Sequence, residues 1–222
     1  KYRLHTKIVL VTTAFLLLSG TLLFYITEYN NTMKGMNVGE RILASFFSAS
    51  TARTAGFNSV DTGSLTSASK LLTCVLMFIG GSPGSTAGGI KTTTIFILVV
   101  SLWSGITDRH KTAIFKRRFE DDAIKKASIV FTLNMFLAVS ALFTILAITD
   151  LSLSDVMFEV FSAIGTVGMT TGITRDLSSA ARIIIMVLMF CGRVGSLSFA
   201  LTFLQGKKDP PVYYPEEEIS VG

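Results

Sequence analysis

The sequence Thr54-Ala55-Gly56-Phe57 is followed 112 positions later (166 − 54 = 112) by the similar Thr166-Val167-Gly168-Met169. The same offset aligns Val75-Leu76-Met77-Phe78 with Val187-Leu188-Met189-Phe190. Each Thr-x-Gly copy comes after a long and then a short apolar segment, and another apolar segment follows it. In a membrane protein, such a repeat is most simply a pore built from similar units around an axis.

The composition is that of a membrane protein. Of the 222 residues, 50% are hydrophobic and only 16% are charged. Residues 8–27 and 127–149 are two uncharged runs, and each meets the roughly 20 residues that a helix needs to cross a bilayer. They are apolar all round, which makes a buried helix of a large soluble protein the weaker interpretation. The sequence therefore predicts an all-α protein that crosses the cell membrane several times.

Positive residues flank these apolar runs, and the net charge is +5. Of the 20 Lys and Arg residues, 12 lie in the first seven residues, the connection 108–126 and the tail 205–222. By the positive-inside rule, all three segments, including both termini, are expected in the cytoplasm. Nucleic-acid binding is the alternative for the connection, but Glu120, Asp121 and Asp122 interrupt its basic cluster. No nucleic-acid partner is expected.

We divide the chain into unit one (residues 1–107), the connection, unit two (residues 127–204) and the tail. The half-length apolar segments are Ile42–Ala52 and Val156–Ile164. Eleven residues of helix rise only about 16 Å, too little for about 30 Å of hydrocarbon. Each unit is thus expected to contain a span, a half-length helix, a turn and a second span.

The second spans of the two units differ in sequence. In unit one this span is predicted in two pieces, Ser67–Gly80 and Ile90–Trp103, with a glycine-rich break between them. In unit two it is predicted over Ala180–Leu204, and Arg193 lies inside this run.

The turns themselves suggest ion coordination. Non-helical backbone at membrane depth is tolerated where it lines a water-filled path or is buried in protein. An extended strand after a short helix directs consecutive carbonyl oxygens one way, and these can replace the water shell of K⁺. Gly56 and Gly168 permit the necessary backbone angles, and the helix dipole contributes its negative end. A plain glycine turn between packed helices is the alternative, but two such turns favour a filter.

These turns resemble filter segments of the Trk/Ktr/HKT potassium-transporter superfamily. The run from Gly80 to Thr94 resembles the stretch that interrupts the second helix of the third repeat in its bacterial members, to which the chain is most similar. Only one glycine per strand is present, unlike the Thr-Val-Gly-Tyr-Gly of potassium channels, so a looser filter is expected. The candidate filter residues are Thr54, Ala55, Gly56, Phe57, Asn58, Thr166, Val167, Gly168 and Met169.

The resemblance covers essentially the whole chain and carries several implications. It implies four repeats per subunit, of which this chain holds the third and fourth, so the first two belong to a missing N-terminal half. It implies K⁺ as the transported ion, held at the filter carbonyls, and leaves Na⁺ open as an activator. No other cofactor and no enzymatic reaction are expected. The implied partners are membrane lipid, a second copy in a homodimer, and a cytosolic nucleotide-binding regulatory ring (KtrA-like).

The glycine-rich run also suggests an alternative, a membrane-embedded nucleotide hydrolase using residues 80–92. A phosphate-binding loop needs glycine directly before Lys-Ser/Thr and a preceding strand, whereas Ile90 separates Gly89 from Lys91. The composition instead favours a helix-breaking segment. The resemblance implies a gate beneath the filter, with a rigid kink as the alternative. The candidate gate residues are Gly80, Gly81, Ser82, Pro83, Gly84, Ser85, Thr86, Ala87, Gly88, Gly89, Lys91 and Arg193.

Arg193 is the most informative single residue. An arginine inside an apolar run is costly and usually faces a cavity, where it pairs with carbonyls or acids. Its charge would also raise the barrier to a potassium ion. The alternative is a break between two short helices.

His5 and His110 have no partnered nucleophile, and the acids are expected in solvated loops and the tail, so no catalytic set is expected.

Overall fold

The structure is a computed structural model, and it describes residues 3–107, 113–114, 117–118 and 121–195. The helices in these ranges are α1 (Leu4–Glu28), α2 (Val38–Thr51), α3 (Ser67–Phe78), α4 (Thr92–Ile106), α5 (Asp121–Ile148), α6 (Leu153–Ile164) and α7 (Ser179–Val194). Two short strands, β1 (Ala113–Ile114) and β2 (Arg117–Arg118), pair antiparallel, and Ile173–Arg175 forms one 3₁₀ turn. The predicted all-α class is confirmed, with this short strand pair as a small addition.

Helices α1 and α5 are the two described helices long enough to cross a bilayer. At 25 and 28 residues they extend about 37 and 42 Å. Large apolar side chains on their outer faces, such as Phe15, Leu18 and Phe143, are exposed. A contiguous surface of this kind suits lipid rather than water. The hydroxyl of Ser19 donates to the carbonyl of Phe15 at 2.7 Å, so this polar group is satisfied within the helix.

Helices α2 and α6 begin three or four residues before the boundaries expected from apolar content. Asn37 and Glu40 form a capping box in front of α2, with both hydrogen bonds at 2.9 Å. At α6, the Ser152 hydroxyl accepts from the backbone N–H of Asp155 at 3.2 Å. With 14 and 12 residues, both helices remain too short to cross the hydrocarbon region.

The second span of unit one is broken, as the sequence predicts. Helix α3 ends at Phe78 and α4 begins at Thr92. The ends of the break meet at one parallel bridge between Ile79 and Ile90, and the backbone N–H of Ile90 donates to the Phe78 carbonyl at 3.0 Å. We call Gly80–Gly89 the glycine-rich loop. In unit two, α7 ends with Arg193 in its last turn. The rest of the predicted run, residues 196–204, lies outside the described residues, together with the tail and most of the connection, including His110.

Each of the two apolar cores is built from both units. The first combines Phe24 of α1 and Met77 of α3 with Phe158, Val167 and Met169 of unit two. The second joins α5, α6 and α7 to Phe78 and Ile90 of unit one. The Phe78 ring meets the Phe161 ring edge-on, with centroids 5.4 Å apart. Helix α6 of unit two therefore packs on α3 of unit one, and neither core is complete within one unit.

Two buried glutamates contradict the expectation that the acids lie in solvated loops and the tail. Glu28 is 0% exposed and Glu159 is 5% exposed. The Glu28 carboxylate accepts from the Thr66 backbone N–H at 2.9 Å and from the Thr66 hydroxyl at 2.8 Å. It also accepts from Asn31 and from the Thr32 hydroxyl, both at 2.8 Å. The expectation was wrong because a carboxylate at a helix end can be satisfied by donors from neighbouring segments.

We expect Glu28→Ala to destabilise the protein by about 3 kcal/mol, because several buried donors lose their acceptor at once. For a chain of this size, that corresponds to a fall in melting temperature of about 6–12 °C. Thermal unfolding in detergent, followed by size-exclusion chromatography, measures the change. The matched control is Asp61→Ala, which removes an exposed carboxylate that also accepts from Ser64 and Gly63. Equal melting temperatures for the two variants would contradict the structural role of Glu28.

Candidate functional site

The two Thr-x-Gly turns share an unusual backbone. We call Thr54–Asn58 the first turn and Thr166–Met169 the second turn. In the first, Thr54 has φ 77° and Gly56 has φ 78°; in the second, Thr166 has φ 51° and Gly168 has φ 86°. A β-branched residue in the left-handed region is an outlier that persists only where its surroundings impose it. The two threonines occupy equivalent positions, so the strain is a property of the repeat.

Each turn is fastened to the end of its half-length helix. The Thr51 hydroxyl accepts from the Phe57 backbone N–H at 2.8 Å and donates to the Phe57 carbonyl at 2.6 Å. In unit two, the Val167 backbone N–H donates to the Ser162 carbonyl at 2.9 Å. The half-length helices thus deliver both turns as extensions of their C-terminal ends, where the helix dipole is negative.

The two turns meet each other. A Cβ atom built on Gly56 would overlap the carbonyl oxygen of Val167, whereas a Cβ on Gly168 would meet open space. The side chains that follow the glycines also differ, since Phe57 is 70% exposed and Met169 is 5% exposed. The turns are therefore equivalent in backbone but not in surroundings, and a carbonyl of the second lies against the glycine of the first.

A polar network outside the turns ties the units together. Glu159 of α6 accepts from the hydroxyls of Thr170 and Thr174, the latter at 2.7 Å. The Thr170 carbonyl in turn accepts from the Thr62 hydroxyl of unit one. Lys70 of α3 forms an ion pair with Asp155 at the start of α6, with the Lys70 Nζ–Asp155 Oδ1 distance 2.9 Å. These contacts hold the C-terminal end of the second turn to unit one.

The glycine-rich loop lies directly against the second turn. The backbone N–H of Gly88 donates to the Thr166 hydroxyl at 3.0 Å. A Cβ on Gly88 would lie 2.7 Å from Thr166 Cγ2 and 2.9 Å from the Gly165 carbonyl oxygen, and a Cβ on Gly165 would lie 2.6 Å from the Met77 carbonyl oxygen. Glycine is therefore required at both positions by close backbone approach.

Three cations donate to carbonyls of this loop. Arg193 donates to the Thr86 carbonyl, Lys91 to the Ala87 carbonyl, and Arg53 to the Gly80 carbonyl at 3.4 Å. In the ranges that the structure describes, the one ion pair is Lys70–Asp155, so none of these three cations is neutralised by a carboxylate there. The structure places every candidate gate residue in, or in contact with, one compact loop.

Sequence reasoning missed Arg53, although the signal used for Arg193 applies to it as well. Arg53 is a charged residue directly after an apolar half-length segment, and it is half-buried. Its equivalent in unit two, 112 positions later, is Gly165, which packs against α3. The shared Thr-x-Gly pattern does not include the residue before it, so the comparison of the two copies does not reveal the change from arginine to glycine.

The rest of the loop forms a tight turn. The Ser85 backbone N–H and hydroxyl both donate to the Ser82 carbonyl, at 3.2 and 2.6 Å, around Pro83 and Gly84. Helix α3, not a strand, precedes the loop, and Lys91 is committed to the Ala87 carbonyl. A phosphate-binding loop requires a strand before it and a free lysine for the phosphates. Neither requirement is met by this loop, so the geometry argues against the nucleotide-hydrolase alternative.

The fold and the turns define a helical membrane protein in which two similar backbone turns lie against each other. The family model described as TrkH, cation transport protein, matches residues 4–209. The chain belongs to this family of cation transport proteins, which confirms the resemblance seen in the sequence.

Curated relatives match the whole chain. It is 37% identical to the Ktr system potassium uptake protein B of Bacillus subtilis (strain 168), over 100% of this chain and 50% of that protein. It is 36% identical to the Ktr system potassium uptake protein B of Vibrio alginolyticus, over 99% and 48%. It is 38% identical to the potassium/sodium uptake protein NtpJ of Enterococcus hirae, over 100% and 51%. The chain spans about half the length of these relatives.

One solved structure shows the same fold. The crystal structure of the potassium transporter TrkH from Vibrio parahaemolyticus superposes with a TM-score of 0.71. The match covers 87% of this chain and 43% of that chain at 18% sequence identity. It confirms the helical membrane architecture.

Proposed function

We propose that this chain forms half of a pore that carries K⁺ across the cell membrane, within the pore-forming subunit of a Ktr/Trk-type uptake system. The observation that carries the proposal is the contact between the two turns, with the Val167 carbonyl against Gly56. The second turn lies against a loop whose carbonyls accept hydrogen bonds from Arg193, Lys91 and Arg53. The relatives named as potassium uptake proteins support K⁺ as the ion. Transport of this kind involves no enzymatic reaction by this chain.

In this proposal, the two turns are two strands of a four-strand selectivity filter. Carbonyl oxygens of Thr54–Asn58 and Thr166–Met169 replace part of the hydration shell of K⁺. The half-length helices α2 and α6 point their negative ends at the ion. One glycine per strand fixes fewer carbonyls than the two of a potassium channel, so the filter is looser. The glycine-rich loop beneath it is the gate, and Arg193, Lys91 and Arg53 raise the barrier to a cation.

The other two strands must come from outside this chain. Phe158 of α6 is 0% exposed because α6 packs on α3, whereas Phe46, its equivalent on α2 (158 − 46 = 112), is 45% exposed. Ile42, Leu43 and Phe47 are also exposed on α2, and a groove of about 310 Å³ runs along this helix. By the repeat, this face of α2 packs on the second span of a preceding unit. Two further repeats on the N-terminal side therefore complete the ring, as the double length of the relatives supports.

The remaining parts of the proposal concern assembly and location. The protein is a multi-pass protein of the plasma membrane with both ends of this chain in the cytoplasm, because the basic segments border the spans. It forms a homodimer on a cytosolic nucleotide-binding regulatory ring, which docks on the connection and the tail. Na⁺ acts as an activating ion, which is supported by the Enterococcus hirae relative being a potassium/sodium uptake protein.

Uptake by the full-length subunit tests the proposal. Expressed with its regulatory partner in cells that lack potassium uptake, the subunit should restore growth at low K⁺ and take up ⁸⁶Rb⁺. The vector alone and the partner alone are the controls, with membrane expression matched by immunoblot. A well-expressed, membrane-inserted subunit that takes up no Rb⁺ or K⁺ would contradict the proposal.

A further inference from the structure

Among the described residues, one part-buried hydrogen bond links the glycine-rich loop to the second turn. The donor is the backbone N–H of Gly88, which is buried, and the acceptor is the Thr166 hydroxyl, 3.0 Å away. No room remains for the two to slide, because Gly88 already lies against both Thr166 and the Gly165 carbonyl. Any displacement of the loop away from the turn must therefore break this bond.

The link is specific to unit two. Thr54 occupies the equivalent position in the first turn, and among the described residues no hydrogen bond joins the loop to its side chain. Next to the first turn, it is the preceding residue, Arg53, that contacts the loop, through the carbonyl of Gly80. The repeat would allow either threonine to make the contact, but the fold uses only Thr166.

We propose that Thr166 is a positioning residue that couples the loop to the filter, so that loop displacement changes the ion preference of the second turn. This inference rests on the proposed function. The φ of 51° at Thr166 lies in a sparsely populated region and depends on the restraints around it. When Gly88 leaves, one of those restraints is lost, and the carbonyls of the second turn gain freedom to rotate.

The coupling acts in both directions. If loop position alters the binding of K⁺ at the second turn, then K⁺ in the filter alters the loop equilibrium by the same factor. Carbonyls that are free to rotate hold K⁺ less tightly, so an occupied filter favours the closed loop and an emptied filter favours its release. Selectivity at the second turn and gating by the glycine-rich loop are then linked through the Thr166 hydroxyl.

The test uses Thr166→Val in the full-length subunit with its regulatory partner, reconstituted in liposomes. Valine keeps the size and branching of threonine but cannot accept the Gly88 hydrogen bond. In a cysteine-free background carrying Ala87→Cys, at a half-buried position of the loop, the rate of modification by a water-soluble thiol reagent reports loop release. Loss of this bond should raise that rate about five- to tenfold. The second readout is the ratio of Rb⁺ to Na⁺ flux, measured with and without the regulatory partner.

In the unaltered protein, the flux ratio should differ between the regulated and unregulated states. In Thr166→Val, it should take one value in both. Thr166→Ser retains the hydroxyl that accepts from Gly88, so its modification rate should stay close to that of the unaltered protein. Thr144→Val makes the same chemical change on α5, where the hydroxyl bonds only the Ser140 carbonyl, and should affect neither readout. If Thr166→Val fails to fold, Gly88→Ala breaks the same bond from the loop side, because its Cβ displaces the loop.

The outcomes separate this inference from the proposed function. Absence of Rb⁺ flux in the unaltered protein refutes the proposed function, while the modification rate still tests the bond. Normal flux with unchanged modification rate and unchanged state dependence in both Thr166→Val and Gly88→Ala overturns the inference alone. An effect of Thr166→Ser as large as that of Thr166→Val would also overturn it.

Discussion

Gly56→Ser should abolish discrimination between K⁺ and Na⁺, and its effect should exceed that of Gly168→Ser. Both glycines have positive φ, where a residue with a Cβ is strained by about 1–2 kcal/mol. At Gly56 the new Cβ would also overlap the Val167 carbonyl oxygen, whereas at Gly168 it enters open space. Gly56→Ser therefore misdirects carbonyls of both turns, and Gly168→Ser strains only its own.

Bi-ionic reversal potentials, or paired ⁸⁶Rb⁺ and ²²Na⁺ fluxes, measure this discrimination. The matched control is Gly35→Ser, at a glycine that also has positive φ (93°) and open space around it but lies between α1 and α2. It should share the backbone strain without changing selectivity. Unchanged selectivity in both Gly56→Ser and Gly168→Ser would remove the two turns from the filter. Equal losses in the two would show that the approach of Val167 to Gly56 has no functional weight.

Shortening the glycine-rich loop should raise ion flux and free it from the regulatory partner. Removal of residues 82–86 takes away the Thr86 carbonyl that accepts from Arg193 but leaves Gly88 and Gly80 in place. Arg193→Ala should raise flux as well, since the cation and its hold on the loop are both lost. A unit charge roughly 8 Å from an ion path, at an effective dielectric constant near 20, contributes about 2 kcal/mol, or about thirtyfold in flux.

Flux through the shortened loop is compared with and without the regulatory partner. Arg193→Gln is the matched control for the charge, because glutamine can still donate to the Thr86 carbonyl. If charge dominates, Arg193→Gln resembles Arg193→Ala; if the contact dominates, it resembles the unaltered protein. Normal flux and normal regulation after shortening would show that the segment is a rigid kink and not a gate.

The sequence predicted the elements whose signals are local. The spans follow from runs of apolar residues, the break at Gly80–Gly89 follows from glycine content, and the two turns follow from their repetition. The starts of α2 and α6 were placed too late because their first turns are polar and are held by caps at Asn37 and Ser152. The extent of an apolar run does not include such residues, whereas the capping pattern marks where the helix begins.

The missed parts depend on contacts between distant residues. Glu28 is stable in a buried position because Thr66, 38 residues later, supplies two donors. Gly56 and Gly168 are indistinguishable in the repeat, yet one faces a carbonyl and the other faces space. Arg53 and its counterpart Gly165 meet different sides of the same loop. A repeat predicts the backbone that the two copies share. Each copy has different neighbours in the fold, and those neighbours cannot be read from the local sequence.

The sharing of both cores between the units has a consequence for how the protein is made. Phe161 leaves the ribosome 83 residues after Phe78 (161 − 78 = 83), so about 4–17 s of translation separate the two sides of this packing. During that time α3 is already inserted, but the surface that receives α6 is vacant. Likewise, Val167 packs against Gly56 of the first turn only after unit two has been synthesised. The proposed ion path is therefore completed late in biogenesis, and a nascent chain stalled between the units would present an unfinished α3 surface to membrane chaperones and proteases.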